Sequence, residues 1–475
     1  MNETPRESFF ERALSNLAGA WREVAAGAAR SVGLSGPGSP ARDADALERL
    51  MAECLEARGG EVSARLRAAE LGRAYLDLDG PGRRGFLEVL ARRFAVDVAA
   101  VERAIADYRD AEEPDLKLAA EDALRRALVP PRVKLLTQFN VLPEGVKFLA
   151  DLRSDLLSVM ADDPHLRGLE GDLRELLESW FDVGFLDLRT INWDSPASLL
   201  EKLIAYEAVH EIRSWDDLRN RLDSDRRLYA LFHPRMPDEP LAFVEVALVK
   251  GMAGNIQALL DESVPPIDPR EVDTAIFYSI SNTQRGLTGI SFGDYLIKRV
   301  VERFSKELPR LKTYATLSPV PRFRGWLERA PAELVAQAFA GEELDGIRSL
   351  GGSEDAGVAL LAVLSHADWH RDPAVTSLVK GPLMRLCGRY FLETGGNGMP
   401  IDPVARFHLR NGARLERINW LADTSDRGLG QSAGLMVNYR YLPGDIEKNH
   451  EAYLERGQVV MSAEVRGLAK QAARR

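Results

Sequence analysis

Cysteine is nearly missing from this sequence. Its 475 residues include only Cys54 and Cys387, too few and too far apart for a disulfide framework or a cysteine-rich zinc site. Nor is there any run approaching about 18 uncharged apolar residues, so no transmembrane helix is expected. An excess of positive charge is absent as well: 62 Lys and Arg face 72 Asp and Glu, a net charge of −10. That disfavours a general nucleic-acid or anionic-membrane binder and leaves room for a local basic funnel around one anionic ligand. The stretch Met1 to Arg30 carries Glu3, Glu7 and Glu11 among its apolar residues, which fits neither a secretory signal nor an acid-poor transit peptide. Ala472-Ala473-Arg474-Arg475 is no lipidation or peroxisomal signal. These absences point to a soluble cytoplasmic protein.

What is present is a globular composition, 45% hydrophobic and 28% charged. It is too apolar for disorder and too charged for a membrane bundle, and at roughly 150 residues per domain it allows two or three domains. A short N-terminal helix and a Gly/Ser/Pro-rich joint are expected over 1–43. Over 44–188 the pattern is helical. Leu47, Leu50, Met51, Cys54 and Leu55 share one helix face. Phe86, Leu87, Leu90 and Phe94, then Leu149, Leu152, Leu156 and Leu157, then Leu173, Leu176, Leu177 and Trp180 continue the theme. This half has no glycine-rich loop and one histidine, His165, and reads as a helical bundle for assembly or support. From 189 to 475 strands and helices alternate, as expected of an α/β or α+β domain, with a helical insertion near 330–380. Strand-like runs lie at Leu241–Val249, Thr274–Ile280, Thr313–Leu317, Ala413–Trp420 and Gly434–Tyr441.

Three places in this second half could carry chemistry. The run Thr274–Ile280 leads into Asn282-Thr283-Gln284-Arg285-Gly286-Leu287-Thr288-Gly289 and then into a helical pattern from Leu296 to Leu308. Glycines there let backbone N–H groups approach a phosphate, and the helix start adds orphan donors. The spacing matches neither a Walker A loop nor the dinucleotide fingerprint, and a plain strand-to-helix turn would use the same glycines. Ser318 ends a strand and is stiffened by Pro319 and Pro321, which suits projection into a cleft or an ordinary turn. Asp402 as N-cap, Pro403 at the first position and Gly412 past the end describe a two-turn helix. His408 falls in its last turns, where the helix C-terminus favours a protonated ring. His366 and His370 could share a helix face at i, i+4, but no third ligand is in sight. No metal site is expected.

Together these segments resemble the malonyl-CoA decarboxylase family. The carrying residues are Ser279 to Gly289, Phe292-Gly293, Leu296 to Val301, Leu317-Ser-Pro-Val-Pro321, Phe323 and Trp326-Leu327. Downstream follow Pro403-Val-Ala, Phe407-His408, Asn411-Gly412-Ala413, Arg417-Ile-Asn-Trp420 and Asn438-Tyr-Arg-Tyr441. The set occurs in the family's order across about 45–460. The resemblance implies a helical N-terminal domain, a catalytic domain of the GCN5-related N-acetyltransferase fold, and assembly as a dimer of dimers. It implies conversion of malonyl-CoA to acetyl-CoA and CO2 with no metal or organic cofactor. Ser318, His408 and Tyr441 match its active-site residues. Thr288, Gly289, Ile290, Ser291, Phe292, Gly293 and Asp294 match the segment that holds the CoA pyrophosphate, with Arg285 and Gly286 beside it. Ser291 stands where animal relatives carry a glutamate, and Leu287 where acetyltransferases carry their middle phosphate-loop glycine.

Loss of CO2 from a malonyl thioester leaves an enolate, so donors must face the thioester oxygen and a proton must reach the α-carbon. On the resemblance, His408 is expected as proton or enolate hydrogen-bond donor, Ser318 as carboxylate-orienting or relay group, and Tyr441 as their assistant. An acyl-CoA N-acyltransferase of the same fold and a non-catalytic CoA-sensing scaffold are the competing readings.

Overall fold

A computed structural model describes residues 19–21, 44–56, 60–161, 163–290, 293–396 and 398–471. The expected N-terminal helix and joint thus lie outside the described residues, apart from a helical 19–21. The chain divides into two compact units: 1–187 with 232–239 and 284–290, and 188–231 with 240–283 and 291–475.

The first unit is helical. Its described helices are α1 (Ala44–Glu56), α2 (Gly60–Leu76), α3 (Gly80–Arg93), α4 (Val98–Asp110), α5 (Pro114–Leu128), α6 (Pro131–Phe139), α7 (Gly145–Val159) and α8 (Pro164–Trp180). Their starts follow from local chemistry. Asp79, Asp97 and Asp163 each accept a backbone N–H of the first turn, and proline occupies the early position of α3, α5, α6 and α8, where its missing N–H costs nothing. The core is aromatic. Phe148 lies 4.8 Å from both Trp21 and Phe139 and 5.6 Å from Tyr75, and Trp21 Nε1 donates to the Pro143 carbonyl at 2.7 Å.

The second unit is built on one mixed sheet of β1 (Asp187–Ile191), β2 (Arg226–His233), β3 (Met236–Val249), β4 (Thr274–Asn282), β5 (Thr313–Thr316), β6 (Ser318–Pro319), β7 (Arg414–Asn419) and β8 (Met436–Tyr441). The order is β1-β2-β3-β4-β5-β8-β6, with β7 also pairing to β8. Strand β4 runs parallel to β5, Thr274 opposite Thr313. The pairs β3–β4, β5–β8, β6–β8 and β7–β8 are antiparallel. A parallel pair needs a crossover, and the helix Gly293–Glu307 supplies it. The order of a helical region followed by a mixed-sheet α/β region matches the expected class.

Three local readings change. Strands β1 and β2 were not anticipated, and β3 starts at Met236 rather than Leu241, because Pro237 and Pro240 mask a strand signal in the sequence. The helical stretch expected near 330–380 begins at Ala332 and continues to Tyr390. His366 and His370 do not share a helix: Ser365 N donates back to Leu361 and Ala362 and closes Ala356–Leu364, and His370 sits in a separate 3₁₀ turn, Trp369–Arg371.

Candidate active site

Ser318, His408 and Tyr441 come from three separate elements and meet. Strand β6 is two residues long because Pro319 and Pro321 deny it further backbone donors. It pairs Ser318 with Val437 of β8, while Tyr441, further along β8, pairs with Tyr314. Alternation along β8 sets Val437, Tyr439 and Tyr441 on one face. His408 enters from the helix Pro403–Arg410, whose start is fixed by Asp402: its carboxylate accepts the Ala405 N–H at 2.8 Å and the Tyr390 hydroxyl at 3.0 Å.

The three side chains form a hydrogen-bonded chain. Ser318 Oγ is 3.1 Å from His408 Nε2, and His408 Nδ1 is 2.8 Å from the Tyr441 hydroxyl. Ser318 donates its own proton to Thr316 Oγ1 at 2.8 Å, which also accepts the Tyr439 N–H at 3.1 Å. With that proton directed at Thr316, Nε2 carries the imidazole hydrogen and Nδ1 accepts from Tyr441. Tyr439 stacks on the imidazole at 4.5 Å between centroids, 26° off parallel. Ser318, His408 and Tyr441 are 6%, 3% and 1% exposed, so the chain is sheltered from bulk water.

That shelter decides the charge of His408. Burial pushes its pKa down from 6.5 to about 3, because an imidazolium loses its hydration there. The sequence leaves the charge of His408 open between the pull of the helix C-terminus and that of a pocket; burial favours the neutral ring, since desolvation outweighs a dipole effect of about 1 kcal/mol.

The glycine loop follows β4 as a 3₁₀ turn, Arg285–Leu287. Arg285, Thr288 and Gly289 are exposed, Gly286 is buried and Ile290 is half-buried. Ser291 and Phe292 lie outside the described residues, and Gly293-Asp294 open the helix Gly293–Glu307. No group of three or more His, Cys, Asp or Glu able to hold a metal ion occurs among the described residues.

Sequence reasoning missed Thr316 and Tyr439. Both sit two residues before an anticipated site residue on the same strand path, so period-2 alternation would have found them. It also missed Arg153 of α7, which donates to the glycine loop, and Glu170 of α8, which holds Arg153. A lone arginine in an amphipathic helix carries no such signal.

Comparison with known proteins agrees along the chain. Residues 184–475 match the family model for the malonyl-CoA decarboxylase C-terminal domain, and 94–181 that for the N-terminal domain. The chain is 37% identical to the mitochondrial malonyl-CoA decarboxylase of Anser anser anser over 422 residues, 85% of this chain and 83% of the relative. It is 39% identical to that of Mus musculus over 402 residues, 80% of each. The crystal structure of malonyl-CoA decarboxylase from Rhodopseudomonas palustris superposes with a TM-score of 0.80 at 43% identity, covering 90% of this chain and 99% of that one. With both family models matched in order and relatives this similar over four-fifths of their length, the chain belongs to the malonyl-CoA decarboxylase family.

Proposed function

We infer that this protein is a carboxy-lyase that converts malonyl-CoA to acetyl-CoA and CO2. The observation that carries the reading is the buried chain Tyr441–His408–Ser318–Thr316 in a chain of this family. The α-carbon to carboxylate bond breaks, its electron pair passes into the thioester as an enolate, and CO2 leaves. Ser318 turns from Thr316 and gives its proton to the α-carbon, His408 Nε2 gives its hydrogen to Ser318, and the Tyr441 hydroxyl gives its own to Nδ1, which leaves the ring as the other neutral tautomer. One solvent proton restores Tyr441, and proton exchange with solvent returns the imidazole hydrogen from Nδ1 to Nε2, so that each turnover takes up one proton in net. A neutral His408 suits this, since it passes a proton on without first holding a charge in a dry site. The thioester is itself the electron sink, so the reading requires neither metal nor organic cofactor.

Arg285, Gly286, Thr288, Gly289, Ile290, Ser291, Phe292, Gly293 and Asp294 are proposed to hold the CoA part. The support is a strand, a glycine turn and a helix start in succession, an arrangement suited to phosphate. The reading includes a homo-oligomer, a dimer of dimers joined through the helical domain. Leu116 and Leu118 of α5 are 61% and 60% exposed, and α5 buries no residue. A cytoplasmic location is part of it too. Cys54 and Cys387 are both free and buried, as a reducing compartment allows. No described helix is long and apolar enough to cross a membrane.

The test is malonyl-CoA without any amine acceptor. Acetyl-CoA and CO2 should appear, and Ser318→Ala and His408→Ala should each slow turnover by about 10²-fold or more. Thioester that stays intact until an amine is added would instead mark an N-acyltransferase, and tight CoA binding without turnover a sensing scaffold.

A further inference from the structure

A buried arginine of the helical unit is spent on the backbone of the glycine loop. Arg153, on α7, is 2% exposed. Its Nη1 donates to the carbonyls of Gly286 and Thr288, at 2.6 and 3.0 Å. Its Nε and Nη2 donate to Glu170 Oε1 on α8, at 3.1 and 2.5 Å. Joining α7 to α8 would need only Glu170, so the two carbonyls are a further use of the guanidinium fork. Gly286 is seated so close to α7 that a Cβ there would run into the Ala150 carbonyl.

The consequence lies on the other side of those peptides. A trans peptide points its C=O and N–H in opposite directions, and no cis bond occurs among the described residues. Holding the Gly286 carbonyl turns the Leu287 N–H outward, but Gln284 O takes it at 3.0 Å. Holding the Thr288 carbonyl turns the Gly289 N–H away from Arg153, and that donor meets no acceptor among the described residues. Gly289 is exposed, with φ of +87°, a conformation that favours glycine. The result is one oriented, unspent backbone donor, in the loop assigned above to CoA.

We propose that Arg153, held by Glu170, is a positioning residue for the CoA diphosphate: it orients the Thr288–Gly289 peptide so that the Gly289 N–H donates to a diphosphate oxygen. This rests on the assignment of 285–294 to CoA. Lysine cannot replace it, because a single ammonium cannot span two carbonyls and a carboxylate as a planar fork does.

Two substrates separate this from a merely structural role: malonyl-CoA, and malonyl-pantetheine, which lacks the diphosphate. Kinetics and thermal unfolding are measured for the wild type, R153K and the milder E170Q. R153K should lose about tenfold or more in kcat/KM for malonyl-CoA, mostly through KM, and about twofold or less for malonyl-pantetheine. E170Q should show the same selectivity with a smaller loss, and decides the matter should R153K fail to fold. Folded variants that lose equally on both substrates, or on neither, overturn the proposal. A wild type that uses both substrates equally well removes the diphosphate loop itself, a result distinct from absence of turnover with malonyl-CoA, which removes the proposed function.

Discussion

His408 shows how a neighbourhood sets what a residue can do. Its ring is buried, stacked on Tyr439 and hydrogen-bonded at both nitrogens, so it stays neutral where an exposed histidine would titrate. The folded pKa of about 3 lies below the ordinary 6.5. The unfolded chain therefore binds the proton more tightly, and stability present above pH 6.5 is lost as pH falls toward 3. Urea midpoints at about pH 7 and about pH 4.5 should fall further for the wild type than for His408→Gln, and equal falls would refute the neutral ring. Thr316 acts one step behind the chain. Thr316→Val removes the oxygen that holds Ser318, and should lower kcat about tenfold at a KM changed about twofold or less. Thr316→Ser should restore most of the rate. A KM effect without a kcat effect would argue against it.

Elements place these residues through short-range chemistry. The helix carrying His408 begins at Asp402-Pro403, and the same Asp-Pro start opens α8 at Asp163-Pro164 and the helix Pro373–Tyr390 at Asp372-Pro373. The Asp402 cap is fully buried, and desolvation raises its pKa above the usual value. Asp402→Ala should cost about 1–2 kcal/mol in unfolding free energy, and Asp402→Asn much less, since asparagine caps as well. Calorimetry showing equal losses for the two would assign the effect to the Tyr390 contact rather than to the cap. The Asp402-Pro403 start was legible in the sequence because it uses neighbouring residues only. The early part of β3 was not, because Pro237 and Pro240 interrupt the apolar signal while its partner strand still satisfies the backbone.

At the scale of the whole molecule, α4 and α5 stand out. Only Ala104 of α4 is buried, and α5 buries nothing, yet Val98, Leu116, Leu118, Leu128 and Val129 are all more than half exposed. A helix pair with so little internal core gains most of its stability from whatever covers it. Light scattering on the full chain should give a mass above the monomer, and Leu118→Glu should reduce it. An unchanged mass would place the contact elsewhere.

The amino-acid sequence by itself determined where the helix of His408 starts and, through an ordered set of motifs, the family, with Ser318, His408 and Tyr441 among the candidate residues. Those properties depend on composition or on residues close together along the chain. Only the tertiary structure decided that the three side chains share one hydrogen-bonded chain, that Thr316 and Tyr439 complete it, that His408 is neutral, and that Arg153 reaches Gly286 and Thr288 across more than 130 positions. Burial and long-range contact produce these, because desolvation and hydrogen-bond geometry depend on which distant segments the fold packs together.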